Sequence, residues 1–178
     1  MSNGTTDYDT MYPSSLLFKD VCFEEYKRLL EIYDKIYEKS NIALAFSGVI
    51  LIVILSGFDY TVFKQICSAN TKELFTLCFL FVSTMISSLC IVWAVIQLLT
   101  ILHGNILPMI DCQYIINEEL YRECETVTSL WLIEKYTGMI SKKKKKIKKK
   151  QKRFDSAVSK IVVSLVFYAI SLIIQKGV

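Results

Sequence analysis

Charged residues vanish from this chain in three stretches: Ser40 to Phe58, Leu74 to Leu102 and Ile161 to Gln175. A bilayer core takes about 20 apolar residues in a helix. The first stretch meets that requirement. The second exceeds one crossing and is expected to tilt or to project from the membrane. The third falls short of it. It reaches crossing length if extended back to Ser156, which brings in Lys160, whose long side chain can snorkel to the interface. Otherwise it re-enters or lies along the surface.

A different pattern precedes the first stretch. Phe23, Tyr26, Leu30, Tyr33 and Tyr37 recur at alternating steps of three and four, a seam of period 3.5. The other faces carry Glu24, Lys27, Arg28, Glu31, Asp34, Lys35, Glu38 and Lys39. This is an amphipathic helix that runs into the first apolar stretch without Pro or Gly. Its seam must bury somewhere, either on helices between Ile110 and Met139 of the same chain or against copies of itself as an oligomer seam.

Residues 1–17 read as a disordered tail, 18–39 as the amphipathic helix, and 40–102 as two spans joined by a loop from Asp59 to Glu73. Gly104 and Pro108 break the second span. Ile110 to Cys124 and Thr126 to Arg153 read as two further helices, within a helical region at 103–153. The second of them continues into a third span at 154–178. The expected fold class is all-α: an integral membrane protein with three transmembrane helices and a cytoplasmic helical layer, homo-oligomeric.

Charge sets the orientation. Five basic residues precede the first span, two lie in the first loop, thirteen (counting Lys160) lie between the second and third spans, and Lys176 follows. Lys and Arg favour the cytoplasmic side. The N-terminus and the large connection are therefore expected inside a bacterial inner membrane, with the C-terminus outside. Residues 1–17 lack Lys and Arg and contain Asp7 and Asp9, so no cleavable signal peptide is expected. Six cysteines occur without CxxC spacing, and His103 is the one histidine. No metal site, cofactor or intrachain disulfide is expected.

The net charge of +4 is unevenly placed, with ten of the 21 basic residues lying between Lys142 and Arg153. These are Lys142, Lys143, Lys144, Lys145, Lys146, Lys148, Lys149, Lys150, Lys152 and Arg153. Consecutive lysines on a helix repel one another, so a polyanion is expected to bind. Anionic lipid attracts juxtamembrane Lys and Arg by about 1 kcal/mol each. An oligonucleotide would bind through its phosphates, with steep salt dependence. No aromatic residue interleaves the lysines, so base readout is not encoded. The plainer reading is a topology anchor in contact with lipid.

Polar residues inside the spans form stripes. Lys160, Ser164, Tyr168, Ser171 and Gln175 share one face of the third span. Ser83, Ser87, Cys90, Ala94 and Gln97 do so in the second. Small and hydroxyl residues at such spacing allow close helix packing. Alternatively, Ser164, Tyr168, Ser171 and Gln175, with Ser83, Ser87 and Gln97, line a water-filled pore in an oligomer, beneath which the basic runs merge into a ring. Catalytic constellations are lacking: there is no phosphate-cradling glycine loop and no HExxH, and Glu118, Glu119, Glu123 and Glu125 more simply offset the lysines. No enzyme is expected.

The order of parts, Glu24-Glu25-Tyr26-Lys27-Arg28 through Tyr37-Glu38-Lys39 leading into two spans and a cytoplasmic helical region, resembles the small membrane effectors of bacterial anti-phage defence. It is similar to the channel-forming subunits of Hailong systems, partnered with a nucleotidyltransferase whose oligonucleotide product controls the channel. The resemblance covers roughly residues 20–125, and the third span departs from it. It implies a homo-oligomeric ion channel, with the basic residues from Lys142 to Arg153 as the oligonucleotide-binding ring. A non-channel membrane adaptor that anchors a cytoplasmic partner, or a holin-like lysis protein, would share the same gross layout.

Overall fold

The computed structural model describes residues 11–57, 71–103 and 122–177. The first ten residues of the expected tail, most of the first loop, Gly104, Pro108 and most of the helix expected at Ile110–Cys124 lie outside the described residues. So do Cys67, Cys112, Glu118 and Glu119.

Three helices account for nearly all of the rest, and no strand occurs among the described residues. They are α1 (Ser15–Ser56), α2 (Thr71–Leu102) and α3 (Glu125–Gly177). Each is long and apolar enough to cross a membrane. At 1.5 Å per residue, the 42, 32 and 53 residues of α1, α2 and α3 measure about 63, 48 and 80 Å. A bilayer core is about 30 Å thick, so α1 and α3 each carry a charged half beyond the apolar one. The amphipathic helix and the first span are thus one element, as are the basic run and the third span. α1 begins at Ser15, inside the expected tail. Glu125 stands in the first turn of α3, where the exposed N–H groups favour negative charge.

The chain divides into two compact units, one comprising Ile36–Gly104 with Lys150–Val178, the other Met1–Lys35 with Asn105–Lys149. In the first, the membrane unit, α2 runs antiparallel to α3. Gln97 meets Lys160, Ser87 meets Ser164 and Ser83 meets Phe167, so one number rises as the other falls. The buried positions of α2 are Leu77, Leu80, Thr84, Ser87, Ile91, Ala94, Leu98 and Ile101, at alternating steps of three and four, with Ser83 beside them. Those of α3 are Lys150, Ala157, Ser164 and Ser171, spaced by seven. Ile36, Ser40, Ser47 and Ile54 are the buried positions of α1. This is heptad geometry with small side chains at the seam, which lets the backbones approach. Large apolar residues point outward instead, among them Phe46, Ile52, Phe75, Leu89, Trp93 and Ile173. A water-soluble unit would not tolerate that distribution; hydrocarbon requires it.

In the second unit the charged halves of α1 and α3 run parallel. Phe23 and Tyr26 pack on Tyr136, with ring centroids 5.9 and 5.4 Å apart. Tyr26, Leu29 and Tyr33 of α1 are buried with Thr126, Ser129, Lys143 and Ile147 of α3.

Candidate anion-binding helix and interhelix contacts

The basic run lies wholly within α3. Eight of its ten charged side chains are exposed: Lys142, Lys144, Lys145, Lys146, Lys148, Lys149, Lys152 and Arg153. At 100° per residue, Lys142, Lys145, Lys146, Lys149 and Arg153 fall within about 100° of one another, a single face rising about 16 Å along the helix. Lys144 forms an ion pair with Glu25 at 2.8 Å, the one salt bridge of the run among the described residues. That hydrogen bond and the lysine charge hold the Glu25 carboxyl below its ordinary range, with Arg28 contributing.

Lys143 and Lys150 turn the other way. Lys143 is 1% exposed, and its Nζ lies 3.5 Å from the Tyr26 ring centroid with no hydrogen-bond partner in the described structure. Burial lowers the Lys143 pKa and raises those of Tyr26 and Tyr136, the latter further through the charge of Tyr26. All three shifts favour neutral side chains.

Lys150 belongs to the membrane unit. Its Nζ donates to the Ile101 carbonyl at 2.7 Å and lies 5.2 Å from the Tyr37 ring centroid. The Tyr37 hydroxyl donates to the Leu102 carbonyl. The last carbonyls of a helix have no partner within it and carry partial negative charge. Lys150 and Tyr37 therefore cap the C-terminus of α2 from two other helices. Tyr168 reaches the last turn of α1, its hydroxyl donating at 3.2 Å to the Val53 carbonyl, which already accepts from the Gly57 N–H at 2.9 Å. Gly57 leaves room for this, because a Cβ there would collide with that hydroxyl.

The serines of the stripes meet inside one chain. Ser164 Oγ donates to the Ser87 carbonyl at 2.9 Å, and Ser87 Oγ donates to the Ser164 carbonyl at 2.8 Å. The two hydroxyls are 3.1 Å apart and fully buried. Ser83 Oγ donates to the Phe167 carbonyl at 2.9 Å. Ser171 is buried and donates to the Tyr168 carbonyl of its own helix at 2.7 Å. Lys160 Nζ donates to Gln97 Oε1 at 3.2 Å and to Ser156 Oγ at 2.9 Å. Gln97, Tyr168 and Gln175 are half-buried. The hydroxyls of Ser83, Ser87 and Ser164 thus make hydrogen bonds between α2 and α3 of one chain.

The α1 seam is rotated from the expected one. Tyr26 and Tyr33 are buried as the spacing implies, but Leu29 and Ile36 occupy the intervening buried positions. Leu30 and Tyr37 are half-buried and Phe23 is 47% exposed. A step from 30 to 29 moves that position by about 100°, and with Tyr26 and Tyr33 shared the face as a whole turns by about 60°. The sequence did carry a signal for the inward lysines. Ile147 is the single apolar residue between Lys142 and Arg153, and it is buried. Lys143 and Lys150 flank it at the heptad steps of four and three. Among the described residues no group of His, Cys, Asp or Glu could hold a metal ion. No protein-family model, curated protein or solved structure matches this chain.

Proposed function

We propose that this chain is a membrane-embedded receptor that captures a linear polyanion, such as an oligonucleotide, on the exposed face of α3 between Lys142 and Arg153. One observation carries the reading: eight basic side chains stand exposed on one helix, with a single carboxylate partner among the described residues. Their mutual repulsion is relieved by an external anion. A face that rises about 16 Å suits an extended chain of phosphates better than one layer of lipid headgroups. The placement of the basic residues favours the cytoplasmic side for this helix. In this reading the protein anchors its anionic partner at the membrane and acts without catalysis.

A second reading, the homo-oligomeric ion channel regulated by the same ligand, is favoured by a separate observation. Leu16, Leu17, Phe18 and Val21 are exposed on the charged half of α1, well before the uncharged stretch begins at Ser40. Copies of the chain would cover them. The pore of such an oligomer would need a lining other than Ser83, Ser87 and Ser164, whose hydroxyls are used within one subunit.

Binding of a labelled single-stranded oligonucleotide to the protein in neutral-lipid nanodiscs tests the first reading. Combined Lys145→Glu, Lys149→Glu and Arg153→Glu substitution is expected to abolish binding; retained affinity would refute it. Ion flux in liposomes, with and without oligonucleotide, decides the second. Flux that responds to the ligand supports a channel, and silent liposomes support an anchor.

A further inference from the structure

Lys160 lies within the apolar half of α3, one turn past Ser156. Its ammonium donates to Ser156 Oγ and Gln97 Oε1, both neutral. The acidic side chains described in the membrane unit are Glu38 and Asp155; both are exposed, and Asp155 accepts from Gln151 Nε2 at 2.9 Å. No salt bridge neutralises Lys160 among the described residues. An ammonium has three protons to donate, and two are committed. Trp93 lies one turn from Gln97 on α2, with its ring centroid 6.0 Å from Lys160 Nζ. It is 56% exposed on the outward face. Its indole N–H is a second donor, and tryptophan favours the headgroup boundary.

A cation held part-buried in an apolar segment calls for an anion within reach. Ser156 is on the side of Lys160 that leads to the basic run, so the ammonium leans toward that end of the helix. From Lys150 to Lys160 the helix rises about 15 Å along its axis. The geometry points to a binding site for the phosphodiester headgroup of an anionic membrane lipid, formed by Lys160, Gln97 and Trp93. Lys160 supplies the charge and the third N–H, Trp93 the indole donor, and Gln97 fixes the ammonium. The exposed apolar residues Ile96 and Leu89 on the same helix as Trp93 offer a surface for the acyl chains. This site is independent of the polyanion reading, because it uses none of the residues from Lys142 to Arg153.

The test is lipid retention, read by native mass spectrometry after release from nanodiscs of phosphatidylcholine with a minor share of phosphatidylglycerol. Wild-type protein should retain phosphatidylglycerol in preference. Lys160→Gln should lower that retention about fivefold, the factor matching one lysine near an anionic surface. Lys160→Arg, which keeps the charge, should preserve it, and Trp93→Leu should weaken it. The triple reversal at Lys145, Lys149 and Arg153 should lower overall retention through the loss of nearby charge, but the further drop of about fivefold caused by Lys160→Gln should persist in that background. Unchanged retention in Lys160→Gln would overturn the site, as would equal retention of phosphatidylcholine. Displacement of the lipid by inorganic phosphate would overturn its assignment to lipid.

Discussion

Lys143 offers the sharpest energetic test, because its ammonium is buried without a hydrogen-bond partner in the described structure. Among the described residues, only the Tyr26 ring, 3.5 Å away, compensates its charge. Such a cation–π contact contributes about 0.5–2 kcal/mol. Removing a charged amine from water costs several kcal/mol even after relaxation. Desolvation therefore wins, and Lys143→Met, which keeps the length and loses the charge, should stabilise the helical pair by about 1–3 kcal/mol. The pH dependence carries the same sign. The Lys143 pKa is lowered on folding, so below its ordinary value the unfolded chain binds more protons. Stability should rise with pH through the window leading up to about 10.5, the value Lys143 regains on unfolding. Tyr26 and Tyr136 act in the opposite sense: their pKa values are raised, so folding loses stability once pH passes about 10, where the unfolded tyrosines ionise. Trp131 fluorescence in a Trp93→Phe background would follow denaturant unfolding of this pair across pH. Wild type should show the alkaline rise and Lys143→Met should lack it. A Lys143→Met protein that is less stable than wild type, or a rise that survives the substitution, would refute the reasoning.

Three further outcomes follow from the contacts of the membrane unit. Ser164→Leu places a large side chain in a fully buried seam and breaks the exchange with Ser87. It should cost about 1–3 kcal/mol from overpacking alone, read by reversible unfolding in bicelles; no loss would mean the seam opens readily. Lys150→Met leaves the Ile101 carbonyl buried without its donor, at about 1–3 kcal/mol, and should speed amide exchange in the last turn of α2. Gly57→Ala should displace the Tyr168 hydroxyl from Val53. Its cost, of the order of 0.6 kcal/mol, should shrink in a Tyr168→Phe background, which removes the closest contact, and additive costs would argue against the contact.

The spans were legible because absence of charge over crossing length is a coarse and sufficient signal. The continuity of α1 through Lys39 and Ser40 was legible too, since neither Pro nor Gly interrupts it. The partners of the hydroxyls were harder to read. A serine stripe has the same spacing whether it meets water in an oligomer or another stripe in the same chain, and only the antiparallel register of α2 and α3 decides. The α2 C-terminus capped by Lys150 and Tyr37, and the contact of Tyr168 with Val53, depend on residues far away in sequence, which no local pattern reveals. Lys143 and Lys150 were hidden by composition: in a run of like residues, inward and outward members look the same until the heptad is traced through Ile147. For α1, Leu29 and Leu30 are equivalent in chemistry, so spacing alone does not choose the face.

The central claim is that the exposed face of α3 holds a chain of phosphates, and its salt dependence tests it most directly. For single strands, the slope of log affinity against log salt is about −0.7 per phosphate neutralised. The five basic residues sharing that face predict a slope of about −3.5 for an oligonucleotide bound to the protein in phosphatidylcholine nanodiscs. The triple reversal at Lys145, Lys149 and Arg153 should remove measurable binding. A slope near zero, or the same slope in the reversed variant, would contradict the account.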